Sequence, residues 1–309
     1  MAKAPFPIIP ELTGIAIAYR NLSMIADRVL PRVTAVGTQV FKYFLYSLAQ
    51  GFTIPDTKVG RRGKPNQVEF SAEEKEASTT DYGLEDGIPQ ADIGNAPPGI
   101  DPRAMSVEYI MNLIALDREV RVASLVFNPA TYPTANKITL SGTSQFSDNS
   151  SDPIGVISDA LDTCIVRPNV MVIGRPAFSK LARHPQIVSA CLRNPGEAGV
   201  ARRQDIAALF ELEEILVGEA FVNTARKGQT ASLSRCWGKH LSLVYRNKQA
   251  APMRDVTFGM TVPWGAPIAG SWPDKNIGLR GGEMVRAGES TCELITCADA
   301  AYFIQNAVN

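Results

Sequence analysis

The sequence predicts an α+β protein built around one long helix, and three observations predict it. Residues 103–128, RAMSVEYIMNLIALDREVRVASLVFN, carry apolar side chains at helical spacing throughout. Residues 153–275 mix short helical and strand-like runs, the pattern of helices packed around a sheet. Residues 55–100 hold eleven glycines and prolines and fourteen charges, too little apolar material for a core of their own.

The 309 residues, 45% of them hydrophobic, suffice for one large core or two moderate ones. Lys+Arg and Asp+Glu both total 31, so the formal net charge is zero. That balance argues against a nucleic-acid binder relying on counterion release over a basic surface, and any nucleic acid nearby is expected to be touched lightly. Cys164, Cys191, Cys236, Cys292 and Cys297 are odd in number and scattered, and they read as reduced thiols of a cytosol-like compartment. MAKAPFPIIP lacks the apolar run of a signal peptide, and no window approaches the roughly 18 apolar residues of a membrane span. A soluble chain without a membrane partner is expected.

Taken in order, Pro5, Pro7 and Pro10 predict an extended N-terminal arm, followed by a short helix ending at Pro31. The aromatic run VFKYFLYSLAQGF, residues 40–52, must be covered, by the core or by a neighbouring subunit. Residues 55–100 are polarised in charge. Lys58, Arg61, Arg62 and Lys64 stand at the start, and Glu69, Glu73, Glu74, Glu76, Asp81, Glu85, Asp86 and Asp92 follow. Such a segment is either a solvated insertion or a long two-stranded arm that orders on an identical copy, where opposite charges meet head to tail.

In the long helix, Tyr109, Leu113, Leu116, Val120, Ala123 and Phe127 draw one apolar stripe, with Arg118, Glu119 and Arg121 off it. Asp101 is placed to cap it, Pro102 suits its first turn, and Asn128-Pro129 supplies the stop. Its length is roughly 39 Å. Helices are predicted over 153–164, 175–184 and 204–210, and strands over 169–174, 214–218, 237–246 and 258–264, all around one sheet. Residues 283–305 read as mostly strand, pairing in a small sheet beneath the long helix.

Catalytic signatures are missing. His184 and His240 lie outside any zinc-binding spacing and read as structural, and no nucleophile elbow, P-loop or dinucleotide turn occurs. Asp81, Glu85 and Asp86 lack the spacing of a calcium loop. Cys292 and Cys297, five apart, would face opposite sides of a strand. Neither an enzyme nor a cofactor is expected, although a hydrolase or transferase with a long lid loop stays open as an alternative.

The order of parts, together with TTDYGLEDGIP ahead of the helix and NVMVIGRPAFSKLARHP after it, resembles the major capsid protein of tailed bacteriophages over essentially the whole chain. The resemblance implies the Hong Kong 97 fold. Residues 1–54 would be an N-terminal arm, 55–100 the E-loop, 101–152 and 276–309 the P-domain, and 153–275 the A-domain. It further implies hexamers and pentamers of this chain in an icosahedral phage head around double-stranded DNA, contacted non-specifically. That head would form in the bacterial host cytoplasm. A portal, and scaffolding or decoration proteins where the head uses them, would be further partners, and an encapsulin-like compartment shell is the alternative. The E-loop of one copy would lie over the P-domain of the next. Arg61, Arg62, Lys64, Glu73, Glu74, Asp81, Glu85 and Asp86 are the candidate E-loop contacts, and Glu108, Asp117 and Arg118 their candidates on the helix. Arg226, Lys227 and Arg235, in the stretch 225–235, would face the capsomer axis. Neither a long charged helical scaffolding segment of the kind found in some relatives nor a cross-link from Lys58, Lys64 or Lys75 is expected.

Overall fold

The structure is a computed structural model that describes residues 6–18, 23–45, 54–67, 73–192, 199–226, 228–247 and 256–309. Two principal sheets share one long helix. The first sheet is built on β12 (Gly282–Ile295). Along one side of it runs β3 (Thr80–Pro89), from Thr80↔Thr291 to Pro89↔Gly282. The other side takes β11 (Ile268–Asp274) and β10 (Gly259–Pro263) end to end, both antiparallel. Their outer edges are closed by the N-terminal segment, through bridges Ile8↔Gly270, Arg32↔Thr261 and Val36↔Trp264. The segment thereby covers edges that would otherwise template pairing with another chain.

The second sheet has the order β4 (Lys137–Thr139), β13 (Ala301–Gln305), β9 (Leu241–Val244), β5 (Val170–Gly174) and β6 (Glu214–Gly218). Every residue of β5 is buried, as expected of the run VMVIG in a sheet covered on both faces. The N-terminal segment carries helices α1 (Pro10–Ala18) and α2 (Ala26–Val29), and α3 (Gln90–Gly94) follows β3.

The long helix α4 (Pro102–Val126) joins the two sheets. Asp101 caps it by accepting the Arg103 amide at 3.0 Å, and Pro102 occupies its first turn. Its amino half buries Val107, Ile110, Met111 and Ile114 with Ile88, Val285 and Ala287 of the first sheet and Leu12 and Ala16 of α1. Its carboxyl half buries Val122, Ala123 and Val126 with Val170, Val172, Leu216 and Phe303 of the second. Against the second sheet also pack α5 (Pro153–Thr163), α6 (Arg175–Leu181), α7 (Pro185–Leu192) and α8 (Arg203–Leu209).

Three expectations are corrected. The predicted stripe is the core face only at the carboxyl end of the helix, where Ala123 is buried and Phe127 packs against the second sheet; toward the amino end Tyr109 is 66% exposed and Leu113 37%, while Arg118 and Glu119, expected off the stripe, are buried. Two apolar stripes coexist on this helix, and periodicity cannot tell which one meets the core. The block 153–275 does not surround one sheet: β10 and β11 belong to the first, and β4 and β13 complete the second. The closing stretch is likewise two strands in different sheets, with a turn at Ala298–Ala300 between them.

Candidate assembly interface

Local sequence produces the first feature, a two-stranded ribbon. The alternating run at β1 (Val40–Leu45) pairs antiparallel with β2 (Glu73–Ser78), so the ribbon draws one strand from the aromatic run and the other from the acidic one. Lys42 pairs with Glu74 across it. Phe41 is buried against Met260 and Val262, whereas Val40 is 50% exposed. Residues 54–67 are exposed throughout; Arg61 and Arg62 occupy a turn closed by Gly63 N–H to Gly60 O at 2.8 Å, and Lys64 follows. Ile54 is 91% exposed. The Glu73 side chain, Lys227 and residues 46–52 of the aromatic run lie outside the described residues.

The acidic half of the predicted arm divides at Thr79. Asp81, Glu85 and Asp86 lie on β3, in the first sheet rather than on the ribbon, and each has a partner within the chain. Asp81 accepts from Ser290, Glu85 pairs with Arg286, and Asp86 accepts from Ser106 at 2.7 Å. Arg286 also lies 5.0 Å from the rings of Phe6 and Trp272, which clasps the N-terminal segment to the sheet.

The outward face of α4 is the second surface. Met105, Tyr109 and Leu113 are exposed at successive steps of four residues, with Glu108 and Asp117 beside them. Asp117 pairs with Arg121. Arg118, expected on this surface, instead points inward with a side chain only 2% exposed. It pairs with Asp27 and donates to Thr261 Oγ1 at 2.8 Å and Leu30 O at 3.3 Å. Burial raises the Asp27 carboxyl, but the charges and hydrogen bonds of Arg118 and Arg32 outweigh it and hold the group below its ordinary value.

Glu119, the next residue, accepts the amides of Ile25 and Ala26 at 2.9 and 2.8 Å and the indole N–H of Trp237. Burial raises its carboxyl in spite of these donors and of Arg118. A cleft of about 530 Å³ opens beside the pair, lined by Ile17, Met24, Asp27 and Glu289 among others. Its charges are already matched, as Arg32 holds Glu289 through two bonds of 2.6 and 3.0 Å.

The third surface is the hairpin of β7 (Phe221–Asn223) and β8 (Leu233–Arg235). Arg235 lies 4.3 Å from the Phe221 ring centroid, and Leu233, 67% exposed, pairs with Asn223 on the neighbouring strand. Arg226 is exposed in the connecting loop.

Both histidines are wired into the interior. His184 Nε2 lies 3.1 Å from Asp148 O and 3.2 Å from Ser151 Oγ, and His240 Nδ1 accepts the Asn306 amide at 2.9 Å. Burial raises all five free thiols, that of Cys164 to about 11, which lowers their reactivity. Cys297 stands beyond the end of β12, so the two-faced geometry expected for it with Cys292 does not apply. Among the described residues no group of three His, Cys, Asp or Glu side chains is arranged to hold a metal ion.

No protein-family model matches the chain. It is 54% identical over 308 residues to the major capsid protein of Pseudomonas phage JBD67, covering 100% of this chain and 99% of that protein. To the major capsid protein of Burkholderia phage BcepMu it is 28% identical, covering 96% and 95%. Among solved structures, a phage-related protein from Bordetella bronchiseptica superposes with a TM-score of 0.77 at 24% identity, over 98% of each chain. The capsid of cyanophage P-SCSP1u gives 0.57 at 11% identity, over 99% of this chain and 92% of that one. The chain belongs to the major capsid proteins of tailed bacteriophages and carries the Hong Kong 97 fold.

Proposed function

We propose that the chain assembles as hexamers and pentamers into an icosahedral head that encloses double-stranded DNA, and that it works as a structural subunit without turnover or cofactor. The observation that carries this reading is that the single chain leaves two surfaces of complementary character exposed. Residues 54–67, which lie between β1 and β2 in the sequence, carry an exposed basic turn with exposed Ile54 and Val59, and the outward face of α4 offers Met105, Tyr109 and Leu113 between Glu108 and Asp117. Apolar and opposite charged groups of this kind favour head-to-tail contact between identical copies.

In this reading the E-loop is the ribbon from about residue 40 to residue 78, the P-domain is α4 with the first sheet, and the A-domain is the second sheet with its helices. The hairpin carrying Arg226 and Arg235 faces the capsomer axis. Assembly takes place in the host cytoplasm, with a portal, and scaffolding or decoration proteins where the head uses them, as partners. Negative-stain electron microscopy of the purified protein tests the reading: shells or rings of five and six are expected, and a stable monomer would overturn it.

A further inference from the structure

The zero net charge of the whole chain conceals a basic pole on the helices that cover the second sheet. Arg175 and Lys180 ride on α6, Arg183 follows it, and Arg202 and Arg203 open α8. The backbone ties these stretches together, because the Ala201 amide donates to Ala182 O at 2.8 Å. Arg175 and Arg203 each lie 5.8 Å from the centroid of the same ring, that of Phe178. Lys180, Arg183, Arg202 and Arg203 are exposed and form no ion pair among the described residues. Arg175 is paired with Glu219 at 3.0 Å. At the opposite end of β5 and β6 the charges are matched, Arg167 being shared by Asp162 and Glu211, and Glu214 by Arg28 and Arg246.

The composition of the pole decides what it fits. A protein partner needs apolar anchors buried at the centre of the contact. Across residues 175–209 Val200 is the one exposed large apolar side chain among the described residues, and Phe178 is 8% exposed. Arginine-rich, unmatched and solvent-reaching cations instead suit a phosphate backbone, which guanidinium groups bind through paired N–H donors. We infer that the face formed by Lys180, Arg183, Arg202 and Arg203, with Arg175 at its edge, is where the chain meets the phosphates of duplex DNA, without reading bases. This inference rests on the shell reading above, and it turns that face toward the inside of the shell.

The test uses the full-length protein and a labelled duplex of about 30 base pairs, with anisotropy read from about 50 to about 200 mM salt. Wild type should bind with an affinity that falls linearly in log salt, each phosphate contact contributing a slope of about −0.9. Arg183→Glu with Arg202→Glu should weaken binding at least about tenfold and flatten that slope. Lys275→Glu with Arg280→Glu, the same charge change on the exposed turn between β11 and β12, should leave binding as in wild type. Unchanged affinity in the folded patch variant, checked by circular dichroism, overturns the inference. So does a patch variant that fails to assemble yet binds DNA normally, which assigns the face to contacts between copies. Should the double variant not fold, Lys180→Glu carries the same comparison. Failure of the wild type to form particles would instead remove the shell reading, because DNA binding is measured independently of assembly.

Discussion

Glu119 Oε1 accepts the indole N–H of Trp237 at 2.5 Å, fastening the carboxyl half of α4 to the segment that leads into β9 of the second sheet. The same carboxylate holds the amides of Ile25 and Ala26, at the start of α2. One side chain thus joins three distant parts of the sequence. Glu119→Ala leaves three buried donors unpaired, each costing about 1–3 kcal/mol, so a loss of at least about 3 kcal/mol is expected. Urea denaturation followed by tryptophan emission reads it as a lower midpoint. An unchanged midpoint would show that this junction contributes nothing to the fold.

Two glycines next to this junction leave no room for a side chain. A Cβ on Gly174 would lie 2.0 Å from Gly238 O, and one on Gly218 would lie 2.1 Å from the Trp237 side chain. Alanine at either site should cost about 1–3 kcal/mol or more through overpacking. Gly14→Ala, in α1 with nothing within 4 Å of the new methyl, should stabilise by about 0.5–1 kcal/mol. Thermal unfolding of the three variants should order them accordingly.

Burial, then the charge of Lys239, holds the His240 imidazole below its ordinary value of 6.5, and Nδ1 must stay unprotonated to accept the Asn306 amide. The unfolded chain takes up a proton that the folded chain refuses. This stability is therefore full above about pH 6.5 and is lost as pH falls through the folded value. Asp27, with its lowered carboxyl, acts only at more acid pH, and Glu119, raised, runs in the opposite direction. His240→Asn keeps an acceptor and removes the titration, so its urea midpoint should change less than that of wild type between about pH 7.5 and about pH 5.5. Parallel curves for the two proteins would remove His240 from the account.

The helix over 102–126, its Asp101 cap, the VMVIG strand and α5 were legible because their signals are local: spacing, a capping side chain and a continuous apolar run. Arg118 was not. Its partners Asp27, Leu30 and Thr261 stand 91, 88 and 143 residues away, and a charged residue beside an apolar stripe reads as solvated until those partners are known. The same limit hid the division at Thr79, where the chain passes from the ribbon to the first sheet. Acidic residues continue on both sides of it, so composition marks no boundary. Of the expected contact residues, the basic turn at Arg61 and Arg62 and the exposed Glu108 and Asp117 stand on open surface, while Asp81, Glu85 and Asp86 are engaged within the chain.

That division sharpens the assembly test. Arg61→Glu with Arg62→Glu changes two exposed side chains in a solvated turn, and single exposed charges contribute little to folding, so the thermal midpoint should stay within about 2 °C of wild type. Assembly should suffer, because a small loss at one contact is repeated at every copy of the shell. If the basic turn meets the acids flanking Tyr109 on a neighbour, Glu108→Lys with Asp117→Lys should impair assembly alone and restore it when combined with the reversed turn. Light scattering at low salt reads each of the four proteins. Failure of the combined variant to recover would place the partner of the turn somewhere other than the outward face of α4, whereas recovery that fades as salt is raised would identify the contact as electrostatic.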